Sequence, residues 1–319
     1  MRLFRLRVVA MSTEFELLHN AYLLTALTSV TFGVIGSFVV ARRIGYLTGA
    51  IAHSAFGGVG VGLWLSQTVT AGALGFGALA RLLVGGSEEQ GSALCAKLGA
   101  LIRPVPSALF FAALSALVVD FIRRNANERE ETLLGALWAL GVGIGLVFIE
   151  KVNGYASVNA YLFGDVLLVS RSDVWFSAIL SAVILALTLL NFKRLEAVCF
   201  DEEFAELRGI NVARQNRLLL LLTSVTVVLL MRVTGMALIV SLLTLPAATA
   251  CRFTKRLSTT IVASIVICLL GSLLGIKISY YLNISTGPTI TLVVAAFYLV
   301  ALILRPIREF LRKLRGVAS

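Results

Sequence analysis

The sequence predicts an all-α integral membrane protein, a polytopic helical bundle of about 8–9 spans. Of its 319 residues, 58% are hydrophobic and only 14% are charged, and the mean hydropathy is +0.93. A bilayer core of roughly 30 Å requires about 20 apolar residues per helix. Runs of that kind recur between residues 18 and 304 with short polar breaks. We therefore expect residues 1–319 to form a single transmembrane domain without an attached soluble domain.

Apolar runs, taken in chain order, predict the individual spans. They lie near residues 18–41, 43–65, 104–122, 133–150, 174–192, 218–231, 236–251, 258–280 and 287–304. The runs 218–231 and 236–251 are short of about 20 residues, so we expect them to be partly re-entrant, with Gly235 in the turn between them. Pro246 should kink or break the second of these runs, because proline cannot donate a helical hydrogen bond.

Two features of the sequence, residues 66–103 and Asp165, each have two possible interpretations. Residues 66–103 contain an apolar stretch that is interrupted by Arg81, which fits either an interfacial helix or a further full span. Asp165 lies between two predicted spans, where it could attract cations or cap a helix.

Basic residues predict the orientation of the chain. Most of the 28 lysines and arginines fall in alternate breaks, above all in the loop 193–217 and the tail 305–319. Cytoplasmic loops are enriched in these residues, so this loop, the C-terminal tail and the breaks that contain Arg42 and Arg43, Arg123 to Arg129, and Arg252 to Arg256 should be cytoplasmic. We interpret the net charge of +11 as topology and contact with anionic lipid, and expect no nucleic-acid partner.

Small-residue pairs predict close packing between helices. Glycines recur four residues apart within predicted spans, an arrangement that lets two backbones approach each other. The pairs are Gly45/Gly49, Gly58/Gly62, Gly141/Gly145 and Gly271/Gly275.

The longest cytoplasmic break contains a predicted amphipathic helix. From residue 200 it reads F-D-E-E-F-A-E-L-R-G-I-N-V. Asp201 and the following glutamates suit a helix N-terminus, and Gly209 can end the helix. Phe200, Phe204 and Leu207 or Ala205 recur at helical spacing. The helix is either a docking element or simply a solvated loop helix.

His53 is one of only two histidines in the chain and lies within an apolar run. A neutral imidazole is a competent ligand for transition metals, and an ionisable residue inside a membrane is a functional candidate. One ligand does not make a high-affinity site, so we expect a transient pathway position. The alternative is a packed histidine that is hydrogen-bonded to a neighbouring helix.

Four stretches together resemble the membrane permease subunits of zinc, manganese and iron ATP-binding-cassette importers. They are the loop from residue 200, M-R-V-T-G-M-A-L-I-V-S-L-L-T-L-P-A-A-T-A at 231–250, S-Y-Y-L-N-I-S-T-G-P-T-I at 279–290 and A-Y-L-F-G-D-V-L-L-V-S at 160–170. The segment 42–55, R-R-I-G-Y-L-T-G-A-I-A-H-S-A, fits less tightly. The resemblance covers residues 18–304 in order.

The resemblance implies a fold similar to vitamin B12-type importer permeases, which work as dimers, and a cytoplasmic coupling helix that docks into an ATPase subunit. Phe200, Asp201, Ala205 and Gly209 match that coupling helix directly, and Glu202 lies in the same run. It further implies an extracytoplasmic metal-binding protein and a second permease chain as partners. Such permeases commonly have an Asp four residues before the span-2 histidine; here that residue is Gly49.

Motifs that are missing from the sequence limit what this chain can do alone. It has no G-x-x-x-x-G-K-[ST] phosphate loop and no H-E-x-x-H or G-x-S-x-G, so we expect no enzyme and a separate ATPase chain. The predicted function is metal import across the bacterial inner membrane, with the ion as substrate and no permanently bound cofactor. The alternatives are a gradient-driven metal transporter or channel and a membrane scaffold.

Overall fold

The computed structural model describes residues 2–70, 104–125, 130–152, 164, 169–235 and 239–317, and every regular element in these ranges is a helix. The helices are α1 (Arg2–Ala41), α2 (Gly45–Thr70), α3 (Pro104–Asn125), α4 (Glu130–Glu150), α5 (Arg171–Leu190), α6 (Phe192–Phe200), α7 (Glu202–Leu207), α8 (Val212–Thr234), α9 (Ile239–Cys251), α10 (Leu257–Leu282) and α11 (Thr286–Val317). The predicted all-α class is confirmed.

Within the described ranges, seven helices contain a segment that is long and apolar enough to cross a membrane. These segments are His19–Ala41, Pro104–Arg123, Glu131–Glu150, Arg171–Leu190, Val212–Leu229, Leu257–Leu282 and Thr286–Leu304. Each coincides with a span predicted from the sequence, which confirms a multi-pass membrane protein.

Helix α2 differs from these seven in its composition. It has 26 residues, about 39 Å at a rise of 1.5 Å per residue, so it is long enough to span. Glycines recur along it, together with His53 and several hydroxyl side chains. The helix tolerates them because its central part is buried, with Ile51, Ala55 and Phe56 fully enclosed by other helices.

The predicted short spans have different outcomes. Helix α8 begins at Val212 and has 23 residues, so the prediction that this span is short was wrong; polar residues of its first turn hid its start. Helix α9 has only 13 residues, about 20 Å, and cannot cross the bilayer core alone. Gly235 caps α8 with a φ of 75°, as predicted for the turn. Helix α9 continues through Pro246, so the proline does not break it.

The helices pack as two connected groups. Helix α2 packs against α3 and α4, whereas α1 packs against α5, α9 and α10, and α10 also packs against α11. Helix α8 contacts α1, α2 and α3 and so joins the groups. Of the stretch 66–103, residues 66–70 form the end of α2. The rest of the predicted interfacial helix or further span, residues 71–103, and Asp165 lie outside the described residues.

Predicted glycine pairs lie at helix contacts. A Cβ on Gly58 or Gly62 would meet α3 at Ser107, and one on Gly141 or Gly145 would meet α2. Gly271 and Gly275 face α11 at Val294 and Ile290. Close approach by small residues is therefore confirmed, and the α2–α4 contact carries His53.

Candidate functional site

His53 lies on α2 at its contact with α4. Its imidazole stacks on the indole of Trp138, with ring centroids 4.9 Å apart and an interplanar angle of 29°. Among the described residues, the buried Nδ1 atom has no hydrogen-bond partner. The alternative interpretation was a packed histidine that is hydrogen-bonded to a neighbouring helix. No such hydrogen bond forms at Nδ1 within the described part of the chain.

Trp138 also occupies the space beside Gly49. A Cβ built on Gly49 would lie 2.6 Å from Cζ2 of Trp138 and 3.1 Å from its Cε2. An acidic side chain at position 49 would therefore collide with the indole in this arrangement. Trp138 is itself 43% exposed, so one edge of the tryptophan faces outward from the bundle. Sequence reasoning missed this residue because nothing local links position 138 to position 49.

No group of three or more His, Cys, Asp or Glu side chains that could hold a metal ion occurs in the part of the chain that the structure describes. His53 therefore does not belong to a three-ligand cluster of these residue types within those ranges. The site can offer a cation one imidazole, together with backbone carbonyls or groups from outside this chain. It suits passage of an ion better than tight retention.

The second candidate region is the loop between α5 and α8. The sequence predicted one amphipathic helix from Phe200, but the structure divides it: α6 ends at Phe200 and α7 begins at Glu202. Asp201 breaks the helix, with extended backbone, and its side chain accepts a hydrogen bond from the backbone N–H of Phe204 (3.0 Å). Gly209, with a φ of 74°, follows the end of α7, in a conformation that glycine adopts without strain.

Helix α7 presents two different faces. Ala205 is fully buried and packs with Val198 and Val212, which fixes α7 against α6 and α8. The side away from this contact is open: Phe204 is 48% exposed and Leu207 is 87% exposed, and Phe200 of α6 is 67% exposed. Glu203 and Glu206 are exposed on the same short helix. The Arg208 guanidinium lies 4.5 Å from the Phe204 ring centroid, a cation–π contact that orients the ring.

Glu202 points toward the bundle and pairs with Arg42. Partial burial alone would raise the pKa of the Glu202 carboxyl, but the hydrogen bond and the positive charge of Arg42 hold this pKa below its usual value of 4.5. A depressed pKa means that the pair stabilises the fold above the unfolded-state pKa and that this contribution is lost as pH falls through the folded-state pKa. At neutral pH the carboxylate is therefore ionised and the pair is intact.

Both regions belong to a multi-pass helical membrane protein that has an open apolar patch on a fixed loop between two spans. The model of the ABC 3 transport family matches residues 14–91 and 87–305 of the chain. The chain belongs to the ABC 3 transport family.

Relatives and solved structures agree with this assignment. The chain is 31% identical over 278 residues to the "Probable metal transport system membrane protein" of Chlamydia trachomatis serovar D, covering 87% of this chain and 85% of the relative. It is 25% identical over 293 residues to the "Manganese transport system membrane protein MntC" of Listeria monocytogenes, covering 92% of each. The solved structure "PsaBC from Streptococcus pneumoniae in complex with Fab" matches with a TM-score of 0.71 and 25% identity, covering 89% of this chain and 90% of that chain.

Proposed function

We propose that this chain is the permease subunit of an ATP-binding-cassette importer that moves divalent transition-metal ions into the cytoplasm, driven by a separate ATPase chain. Manganese is the first candidate among zinc, manganese and iron, since it is the metal named for the Listeria relative. The observation that carries the proposal is the exposed apolar patch of Phe200, Phe204 and Leu207 in a member of the ABC 3 transport family.

The patch has the properties of a docking surface. A few anchor residues, often aromatic, carry most of the binding energy of a protein contact when a partner buries them. Here Phe204 and Leu207 project from α7, which is capped by Asp201 and anchored by Ala205, and Phe200 ends α6 just before it, so the patch is preorganised. Asp201, Ala205 and Gly209 thus shape the surface, whereas Phe200, Phe204 and Leu207 would touch the ATPase.

A second chain completes the path in this proposal. The described residues of one copy hold no cluster of three or more His, Cys, Asp or Glu side chains, and a two-fold interface would double the ligands that the path can offer. We therefore propose a dimer of permease chains, either identical or paralogous, which receives the ion from an extracytoplasmic metal-binding protein. Crosslinking in native membranes should capture the dimer, and finding monomers alone in the presence of the ATPase would contradict it.

The docking surface is tested by purifying the tagged chain in mild detergent from its own host and measuring the vanadate-sensitive ATPase activity that copurifies. Phe204→Asp should weaken docking by about 2 kcal/mol or more, as expected for an aromatic anchor, and remove this activity. Phe253→Asp is the matched control, because Phe253 is also 48% exposed and lies in another predicted cytoplasmic break. If Phe204→Asp retains the ATPase activity, or if Phe253→Asp loses it equally, the docking surface does not lie at Phe204.

A further inference from the structure

Arg42 stands at a turn whose geometry is tightly defined. Helix α1 ends at Ala41, Arg43 adopts the left-handed region with a φ of 56°, and the N–H groups of Arg43 and Ile44 donate to the carbonyls of Val40 (3.1 Å) and Val39 (3.0 Å). This is the hydrogen-bond pattern of a Schellman motif, which usually has glycine at the left-handed position. The turn joins α1 directly to α2, the helix that carries His53.

Arg42 connects this turn to three other helices. Its guanidinium donates to the carbonyl of Val198 on α6 (2.8 Å) and to Oδ1 of Asn216 on α8 (2.7 Å), and it pairs with Glu202 on α7. The Arg42 side chain is only 12% exposed. A planar guanidinium can hold several acceptors in a fixed geometry, which a lysine cannot.

The carbonyl of Val198 needs this donor. It belongs to the last turn of α6, where carbonyls lack helical partners. Its regular donor would be the N–H of Glu202, which lies beyond the helix break at Asp201, whereas the N–H of Asp201 donates to Ala197. The Arg42 guanidinium therefore donates to a carbonyl at the end of α6 and pairs with Glu202, the first carboxylate of α7. Its side chain bridges the gap in the chain between these two helices.

The surroundings of Arg42 are polar and tied to the bundle. A cavity of about 190 Å³ beside it is also lined by Ile44, Asp120, Arg123 and Leu220. Nε of Arg217 donates to Oδ2 of Asp120 (3.0 Å), which ties α8 to α3. The loop with the docking surface is thus held to the membrane helices by charged contacts on one side and by the Ala205 packing on the other.

We propose that Arg42 is a positioning residue that transmits displacement of α7 to the α1–α2 turn, and through it to the helix that carries His53. The inference rests on the proposed function, because it assumes that an ATPase moves α7. It predicts a single side chain whose loss separates ATP hydrolysis from metal movement without removing the docking surface.

Cys199 supplies a readout that does not depend on transport. Burial raises the pKa of the Cys199 thiol to about 12, while the charge of Arg42 opposes this. Loss of the charge would by itself make the thiol less reactive. An increase in its reactivity toward N-ethylmaleimide therefore reports opening of α6 and not a change in charge.

The experiment compares Arg42→Gln with Arg43→Gln, which removes the same charge one residue later from an exposed side chain and keeps a non-glycine residue at the left-handed position. Site-resolved mass spectrometry measures alkylation of Cys199 in the purified complex. Proteoliposomes of the same complex measure how much radiolabelled manganese is moved per ATP hydrolysed.

The expected results differ between the variants. Arg42→Gln should speed alkylation of Cys199 at least about tenfold, in keeping with loss of hydrogen bonds to a charged group. It should also lower the manganese moved per ATP while the ATPase stays bound. For both measurements, Arg42→Lys should give values between those of Arg42→Gln and the wild type. Arg43→Gln should match the wild type.

Any of three results for Arg42→Gln would overturn the inference. Cys199 could stay protected, or alkylation could rise while manganese moved per ATP is unchanged. The ATPase could also dissociate, which would mean that Arg42 only supports docking. Failure of the proposed function looks different. In that case Phe204→Asp keeps the ATPase activity, whereas the alkylation result for Arg42 is unaffected.

Discussion

At the scale of single residues, His53 is the position where the account is most specific. The imidazole has one face against Trp138, and its Nδ1 atom finds no hydrogen-bond partner among the described residues. Buried polar atoms are usually hydrogen-bonded, and exceptions call for an explanation. A group that accepts an ion in passing is such an explanation, because its lone pair must be available when the ion arrives.

We expect His53→Ala to lower uptake of radiolabelled manganese by about tenfold or more, the scale of losses at metal-binding positions, while the copurified ATPase remains. His53→Asp should retain part of the uptake, since a carboxylate also binds cations. Ser54→Ala, which removes a buried hydroxyl from the same turn of α2, is the control and should transport normally. Wild-type transport rates in His53→Ala would leave His53 as a packing residue.

The same variant carries a pH signature. Protonation of an imidazole, with a reference pKa of about 6.5, removes its lone pair, so wild-type uptake should fall in mild acid while the residual uptake of His53→Ala stays flat. The Glu202–Arg42 pair does not confuse this measurement, because the pKa of Glu202 is held below 4.5. A parallel fall in both proteins would place the titrating group elsewhere.

Gly49 and Trp138 should behave as a coupled pair. Gly49→Asp alone should destabilise the protein by about 1–3 kcal/mol, the usual cost of overpacking, because the indole occupies the space beside residue 49. Trp138→Ala in addition should relieve the clash, so the double variant should be more stable than Gly49→Asp. Thermal unfolding in detergent measures both, and additive losses would show that the two positions are independent.

At the scale of elements, the sequence predicted the features of α7 that depend on neighbouring residues, namely its N-terminal cap and its end. Asp201 caps α7 and Gly209 follows its end, as the carboxylate and the glycine indicated. The break between α6 and α7 was missed because Phe200 and Phe204 keep helical spacing across it. Burial of Ala205, while Phe204 stays exposed, depends on Val198 and Val212, which periodicity could not supply.

Contacts over long sequence separations were beyond a single sequence. Arg42 and the Val198 carbonyl are 156 positions apart, and the stack of His53 on Trp138 joins two different helices. Composition marked Arg42 only as a cytoplasmic charge. The structure gives it three partners on three helices, so its role follows from tertiary packing alone.

The α2–α4 contact provides an element-scale test. A Cβ on Gly141 would lie 2.7 Å from the backbone nitrogen of Ser54, whereas one on Gly143 would meet nothing within 4 Å. Gly141→Ala should therefore destabilise the protein by about 1–3 kcal/mol, and Gly143→Ala should be neutral or mildly stabilising, since alanine favours helix. Equal melting temperatures for the two variants in detergent would contradict the close approach of α2 and α4.

At the scale of the whole molecule, the glycine-rich helix α2 packs against α3, α4, α8 and α9. Helices α3, α4 and α5 leave large apolar side chains exposed, among them Phe110, Leu140 and Leu189, as lipid contact requires. Helix α2 connects through the Arg42 turn to the loop with the docking surface. The contacts of Arg42 thus link the loop that contains α7 to the α1–α2 turn, and so to the helix that carries His53.

The most direct test of the central claim is the energy source of metal uptake in proteoliposomes that contain the complex copurified with this chain. We predict accumulation of radiolabelled manganese, zinc or iron that requires ATP, stops with orthovanadate, persists with a protonophore and is lost in Phe204→Asp but not in Phe253→Asp. Uptake that ignores vanadate and collapses with the protonophore would contradict the account and indicate a gradient-driven transporter.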